Sequence, residues 1–215
     1  ALGAPAPVSI RINPRKSTDT NGEQVPWCGQ GRYLTERPIF TLDPLFHAGC
    51  YYVQEASSML LEQAFLRTGA GTSDILALDL CAAPGGKSTH LSSLLSPDSL
   101  LVCNEPVRSR WPVLCENLWK QGLRHPVITA NDPRDLSSLP SMFDLILVDA
   151  PCSGEGMFRK SEAALAQWSE KLVQGCAVRQ RNLLDAAAAL VRTRVHESAD
   201  RLLVDPDRFL ERHAL

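Results

Sequence analysis

Two reactive side chains follow an apolar run in the second half of the chain. The run LILVDA (145–150) carries Asp149 near its end, and Cys152 lies three positions after Asp149 in the segment PCSGEGMFRK. Open α/β sheets bind their ligands at the carboxyl ends of central strands, so a carboxylate and a thiol here are typical of a catalytic loop. A buried, inert cysteine is the alternative. The polar neighbours and two glycines favour an accessible loop.

A second candidate segment is CAAPGGK, residues 81–87, which follows the apolar run ILALDL. Small residues and glycines let a backbone approach a ligand, and the N-terminus of a following helix offers unpaired N–H groups. A phosphate-binding Walker loop needs a glycine where this chain has Cys81, and the dinucleotide pattern G-x-G-x-x-G is absent. The segment predicts a nucleotide-type turn, with an ordinary tight turn as the alternative.

An acidic residue, Glu105, ends the next apolar run, LLVCNE, 19 residues after Gly86. A carboxylate at this point of an α/β fold accepts hydrogen bonds from both hydroxyls of a ribose. A ribose-binding acid beside a turn without a pyrophosphate pattern predicts a nucleoside cofactor that carries no phosphates. S-adenosylmethionine is the common cofactor of this kind.

The elements that must position these residues alternate along the chain. From Asp74 onward, short apolar runs alternate with helical patterns, and a further helix is predicted at about Glu170–Val191. The central runs are too apolar to be half-exposed, so we expect a parallel sheet with helices on both faces, in the doubly wound, Rossmann-like α/β class. The segment Ser57–Arg67 has the signals of a helix that ends before Gly69.

Three segments are predicted from composition and patterning. Residues 1–50 are rich in proline, and we expect an irregular region with short strands at Val8–Ile12 and Ile39–Leu42. Residues 51–192 form the predicted core, and residues 193–215 an atypical tail.

Charge and cysteine content limit the function classes. The net charge of −2 gives no broad attraction for phosphates, so any nucleic-acid site must be local. No apolar stretch reaches the roughly 18 residues of a membrane span. Seven cysteines without CxxC spacing argue against a disulfide framework and a zinc site. We expect a cytoplasmic monomer that binds no metal and no membrane.

Four segments together resemble a known family. YYVQEASSM (51–59), LDLCAAPGGKSTHL (78–91), NE (104–105) and VDAPCSGEGMFRK (148–160) are similar to successive motifs of the NOL1/NOP2/sun family of RNA 5-methylcytosine methyltransferases. The opening SIRINPRK resembles the stretch that precedes the methyltransferase domain in that family. The resemblance covers about residues 8–191 and implies an S-adenosylmethionine-dependent methyltransferase fold.

The resemblance also implies roles for individual residues. Asp149 lies beside the methionine end of the cofactor and the target base, and we expect Asp149, Cys152 and Lys87 to form the catalytic group. Asp132 sits where the family often has an acid near the adenine, with a looser match. The predicted cofactor-binding residues are Cys81, Ala82, Ala83, Pro84, Gly85, Gly86, Lys87, Glu105, Asp132 and Asp149.

The expected chemistry explains why a cysteine is needed. Carbon-5 of cytosine is a poor nucleophile, so a thiolate first adds to carbon-6, and a carboxylate that bonds ring N3 stabilises the intermediate. Asp149 suits the carboxylate role. In the family, the PC-motif cysteine assists release and a later TC-motif cysteine attacks; Cys152 matches the first.

The sequence departs from the family after AAAALVR, where the family continues to the TC-motif cysteine. In this sequence no cysteine follows Cys176. We therefore expect an incomplete C-terminal part of the sheet, with LILVDA at an edge or paired with Arg201–Asp205. Two functions stay open: an RNA cytosine-C5 methyltransferase, and a non-catalytic member that binds cofactor or RNA. Nucleotide hydrolysis through GGKST lacks the Walker glycine.

RNA is the expected partner, and rRNA rather than transfer RNA. Positive side chains cluster near the N-terminus and after the PC motif, and aromatic side chains that can stack on bases accompany them. These residues are Arg11, Arg15, Lys16, Arg159, Lys160, Trp27, Tyr51 and Tyr52. The alternative is a solvated surface with core aromatics.

Overall fold

The computed structural model describes residues 7–16, 21–123, 126–158 and 162–192. Three groups of predictions lie outside these ranges: the positive residues Arg159 and Lys160, the substitute strand Arg201–Asp205, and the tail 193–215. Among the described residues, no helix is long and apolar enough to cross a membrane.

A four-stranded antiparallel sheet comes first in the chain. Its strands are β1 (Val8–Ile12), β2 (Glu23–Gln24), β3 (Gly31–Leu34) and β4 (Tyr51–Val53), in the order β2-β3-β1-β4. The prediction of an irregular region was therefore wrong for the described residues, because β1 pairs with segments some 20 and 40 residues away and no local pattern reveals those pairings. The strand Val8–Ile12 is confirmed.

The prediction of a strand at Ile39–Leu42 was wrong as well. Residues Phe40–Leu42 form a short 3-10 turn, followed by helix α1 (Pro44–His47). Asp43 caps α1 by accepting a hydrogen bond from the amide of Leu45, and Pro44 supplies a first-turn φ angle that suits a helix. These local signals outweigh the apolar character of the segment.

The central sheet is parallel, as predicted. Its strands are β5 (Leu76–Asp79), β6 (Leu100–Asn104), β7 (Val127–Thr129) and β8 (Leu145–Leu147), in the order β7-β6-β5-β8. The central strand β5 is the most buried, and successive side chains alternate between the two faces. Ala77 packs in one apolar cluster and Leu78 in the other, so the core has two layers.

Helices cover both faces of this sheet. One cluster joins the sheet to helices α2 (Leu61–Thr68), α3 (Gly86–Leu94) and α4 (Trp111–Lys120). The other joins it to α6 (Glu170–Leu190), which follows the short α5 (Glu162–Gln167). The predicted helix at Ser57–Arg67 is divided, because Ala56–Leu60 is a 3-10 turn and α2 begins only at Leu61. Gly69, with φ of 68°, ends α2.

Buried hydrogen bonds join the N-terminal sheet to the core. The guanidinium of Arg11 donates to the Thr89 hydroxyl at 2.7 Å, and the Asn13 amide donates to the Gly49 and Gln121 carbonyls at 3.0 Å each. The boundary at residue 50 stays a prediction. Strand β4, which begins after it, completes the N-terminal sheet.

Strand β8 is the edge of the central sheet within the described residues. It pairs with β5 on one side, and its residues are half-buried, whereas three of the four β5 residues are fully buried. Beyond β8, a single bridge joins Phe143 to Val191.

This difference predicts unequal hydrogen exchange. Amides of Leu145–Leu147 should exchange at least about tenfold faster than those of Leu76–Asp79, because edge amides open without disturbing the buried core. Mass-spectrometric or NMR exchange of the 215-residue chain measures both, with Leu100–Asn104 as a second internal strand for reference. Equal protection of β5 and β8 would show that residues outside the described ranges pair with the edge.

Candidate functional site

The candidate site lies where the four parallel strands end. The loop after β5 contacts the ends of both neighbouring strands: the Leu80 amide donates to the Leu147 carbonyl, and the Ala82 amide to the Asn104 carbonyl, each at 2.9 Å. The segment 80–87 is therefore held between β6 and β8 at the carboxyl edge, which is the expected ligand position in such a sheet.

Glycines permit the shape of this loop. Gly85 has a φ of +107°, which residues with a side chain rarely adopt, and a Cβ there would lie 3.3 Å from the Leu114 side chain. A Cβ on Gly86 would lie 3.1 Å from the Tyr52 ring. Helix α3 begins at Gly86, so its first amides point towards the loop.

Glu105 is buried beneath the loop, with 2% of its side chain exposed. Its carboxylate accepts hydrogen bonds from the Ala83 amide at 3.2 Å and the Val107 amide at 2.9 Å, and it pairs with Arg110 at 3.3 Å. The predicted cofactor loop and the predicted ribose acid are thus in direct contact. The loop's backbone orients the carboxylate.

Asn104, which precedes Glu105, links the loop after β5 to the loop after β7. Its side-chain amide donates to the Leu80 carbonyl at 3.2 Å and to the Asn131 carbonyl at 3.0 Å, and its oxygen accepts from the Asn131 amide at 3.0 Å. It is fully buried. The NE pair therefore combines a residue that joins the loops with the candidate ribose acid.

Lys87 and Asp149 form an ion pair at 2.5 Å, with 28% and 49% of their side chains exposed. They line an open cleft of about 410 Å³ together with Ser57, Ser58, Leu61, Leu147 and Val148. Two residues of the predicted catalytic group, 62 positions apart in sequence, are therefore adjacent in the fold. Their roles stay predictions.

Cys152 lies exposed in the loop after β8, as favoured by its polar neighbours. That loop is attached to α6, because the Gln180 amide donates to the Pro151 carbonyl at 3.2 Å. The Cys81 thiol is less exposed than that of Cys152, and burial raises the pKa of Cys81 to about 12. At neutral pH the Cys81 thiol is therefore not a reactive thiolate, and its backbone amide bonds Asp79.

Asp132 follows β7 at the same edge of the sheet. Its carboxylate is occupied by Arg134, which donates from two side-chain nitrogens at 2.9 Å each, and these hydrogen bonds lower the pKa of Asp132 to about 2. An adenine contact by Asp132 stays a prediction and would require a rearrangement of this exposed pair. Its neighbour Asn131 is attached to Asn104 instead.

Asp79, the last residue of β5, was not among the predicted site residues. Its carboxylate accepts from the Ser88 hydroxyl at 2.7 Å and from the Cys81 amide at 3.3 Å, and only 1% of the residue is exposed. Burial raises the pKa of Asp79 to about 6, and the nearby Asp149 charge adds to that increase. The available signal was an acid at the end of a buried strand.

A family comparison agrees with this geometry. The model of 16S rRNA methyltransferase RsmB/F matches residues 70–196, more than half of the chain. The chain belongs to this methyltransferase family. The model for the N-terminal domain of 16S rRNA methyltransferase RsmF matches residues 1–56. The family predicted from the motifs is therefore confirmed.

Individual relatives show the same relationship within the RsmB/F family. Ribosomal RNA small subunit methyltransferase F from Pectobacterium atrosepticum is 40% identical over 172 residues, which are 77% of this chain and 35% of the relative. The chain thus spans about a third of the length of such curated relatives.

Solved structures share the fold. A methyltransferase homolog protein from Pyrococcus horikoshii has a TM-score of 0.69 at 26% identity, over 89% of this chain and 63% of that one. NSun6 from Pyrococcus horikoshii with SFG has a TM-score of 0.61 at 25% identity, over 76% and 40%. The Rossmann-like methyltransferase fold predicted from the sequence is confirmed.

A further cluster was missed because its members are far apart in sequence. The Cys28 sulfur lies 3.8 Å from Nε2 of His90, and that nitrogen lies 3.2 Å from the Glu62 carboxylate. Metal-bound histidines usually hydrogen-bond through their second nitrogen, but Nδ1 of His90 has no such partner among the described residues. We interpret the cluster as a buried hydrogen-bonded link between the N-terminal sheet and α2 and α3. That the chain binds no metal stays a prediction.

The raised pKa of Asp79 predicts a measurable effect on stability. Between the ordinary value of 3.8 and about 6, the native state holds a proton that the unfolded chain has released. Lowering the pH through this window should therefore favour folding at this site, by about 2–3 kcal/mol in total.

Denaturant unfolding of wild type and Asp79→Asn from pH 7 to pH 4 isolates this contribution. The free energy of unfolding of wild type relative to the variant should rise as the pH falls. The exposed Asp98→Asn serves as the matched control. A pH-independent difference between wild type and Asp79→Asn would contradict the prediction.

Proposed function

We propose that this chain forms the S-adenosylmethionine-binding part of an enzyme that methylates carbon-5 of cytosine in small-subunit rRNA. This chain spans about a third of the length of its curated relatives, so activity, cofactor and substrate are all inferred. One observation carries it above the others. The loop 81–87, Glu105 and the Lys87–Asp149 pair meet at one edge of the sheet beside an open cleft.

The site has groups that suit each part of S-adenosylmethionine. Glu105 offers carboxylate oxygens for ribose hydroxyls, and the small side chains of Ala82 and Ala83 leave the loop backbone close to the ligand. Asp149 and Lys87 offer opposite charges for the amino and carboxyl groups of the methionine end. When bound, the cofactor supplies an electrophilic methyl group. The tight glycine turn fits a nucleoside without phosphates.

The chemistry on the base requires a thiol and a carboxyl group. In this proposal ring N3 of the cytosine takes up the proton of the attacking thiol, the Asp149 carboxylate accepts a hydrogen bond from N3–H, and Lys87 orients Asp149 through their ion pair. Cys152, exposed in the neighbouring loop, takes the release role that its motif has in the family. Residues 177–215 contain no cysteine, so a thiol of the TC-motif kind does not come from this part of the chain.

The expected substrate is rRNA, in line with the names of the curated relatives. All seven cysteines are free, which suits a reducing compartment, and we propose a cytoplasmic location. The monomeric state stays a prediction.

Cofactor binding is tested at Glu105. Glu105→Gln keeps the side-chain volume but removes the charge that strengthens hydrogen bonds to the ribose, and the affinity for S-adenosylhomocysteine should fall about 10- to 100-fold. Isothermal titration calorimetry measures the change. The control Asp98→Asn removes the charge of an exposed acid that precedes β6 at the opposite edge of the sheet, and should leave the affinity unchanged. Equal affinity of wild type and Glu105→Gln would place the ribose elsewhere.

Methyl transfer is tested with radiolabelled S-adenosylmethionine and unmodified small-subunit rRNA. Because only the PC-motif cysteine is available, the 215-residue chain should transfer methyl groups at least about 100-fold more slowly than a full-length relative such as the Pectobacterium protein. Binding of the cofactor should be retained. Transfer at a normal rate that Cys152→Ala abolishes would contradict this expectation and make Cys152 the attacking thiol.

A further inference from the structure

Arg110 connects the two parts of the candidate cofactor site. Its guanidinium lies 3.3 Å from the Glu105 carboxylate and donates to the Ala83 carbonyl at 2.5 Å. The Ala83 amide donates in turn to the same carboxylate oxygen of Glu105 at 3.2 Å. The three groups form a closed ring of two hydrogen bonds and one ion pair, in which Arg110 holds one end of the Ala83 residue and Glu105 the other.

We propose that Arg110 is a positioning residue of the cofactor site, which holds the Glu105 carboxylate and the Ala83 peptide in the arrangement that binds a ribose diol. The inference rests on the proposed function, because it assumes that the ligand is a nucleoside. It adds a residue that acts through Glu105, outside the motifs that identify the family.

Charge supports this role. Glu105 is almost fully buried, and Arg110 is the cation that pairs with it among the described residues. A buried carboxylate without a charged partner is strongly unfavourable, so removing Arg110 should allow Glu105 to rotate or to exchange its hydrogen bonds for water. The amides of Ala83 and Val107 would then remain as the only fixed donors to the carboxylate within the described chain.

The location of Arg110 is not explained by the helix that follows it. Arg110 occupies the N-cap position of α4 and makes no side-chain cap there. A positive charge at a helix N-terminus opposes the helix dipole, so α4 gains nothing from an arginine at this position. Contacts with Ala83 and Glu105 are the compensating interactions. About 45% of the Arg110 side chain is exposed, so the guanidinium borders solvent at the sheet edge.

A nearby arginine provides a matched control. Arg108 is two residues away in the same 3-10 turn, and its guanidinium lies 5.9 Å from the centre of the Trp111 ring. Arg108→Ala therefore removes the same charge from the same turn without removing the contacts to Glu105 and Ala83.

The test measures ribose discrimination rather than affinity alone. Calorimetry gives the affinity of the 215-residue chain for S-adenosylhomocysteine and for its 2′,3′-dideoxy analogue, and the ratio reports the contribution of the ribose hydroxyls. Arg110→Ala should lower this ratio about tenfold. Arg110→Lys should restore part of it, and Arg108→Ala should leave it unchanged. In a Glu105→Gln background, Arg110→Ala should have no further effect on the ratio.

Two outcomes distinguish a wrong proposed function from a wrong positioning role of Arg110. If wild type binds neither ligand, the proposed function is wrong and the inference fails with it. If wild type discriminates and Arg110→Ala keeps the same ratio, only the positioning role is overturned, whatever happens to the absolute affinity. Circular dichroism checks that each variant folds. Should Arg110→Ala not fold, Arg110→Gln, which keeps an amide donor but no charge, should show the same loss of discrimination.

Discussion

Two carboxylates buried at the ends of neighbouring parallel strands constrain the whole candidate site. Asp79 ends β5 and Glu105 follows β6, and both are almost fully buried. Each must find donors nearby, because an unpaired buried carboxylate is very unfavourable. Among these donors are the amides of Cys81 and Ala83 in one loop, so that loop is held at two points. Its conformation is therefore set before any ligand arrives.

The N-terminal sheet supports the same loop through contacts with the first turn of helix α3. Arg11, buried in β1, donates to the Gly86 carbonyl at 3.3 Å and to the Thr89 hydroxyl. Burial lowers its pKa to about 10, which leaves it charged at neutral pH. The Tyr52 ring lies against Gly86. The segment before the core is thus part of the structure that orients the cofactor loop, and a change in β1 or β4 would reach the site through α3.

The charged groups of the site lie at two depths. Asp79 and Glu105 are buried and hold the loop, whereas Asp149 and Lys87 face the cleft and can change partners when a ligand binds. Buried, fully bonded groups are rigid, and half-exposed ion pairs contribute little stability. This division suits a site in which one set of residues maintains the geometry and another contacts the reacting groups.

The sequence by itself determined the class of the core and indicated the segments of the candidate site. Apolar runs that alternate with helical patterns determine a parallel sheet, because such runs must be buried on both faces. CAAPGGK, Glu105, Asp149 and Cys152 are recognisable from residue type and position alone. Only the tertiary structure decided the contacts that these segments make. The pairing of β1 with β4, the contact of Arg110 with Ala83 and the Lys87–Asp149 pair each join residues more than 20 positions apart. Such contacts depend on chain topology, and no local periodicity encodes them.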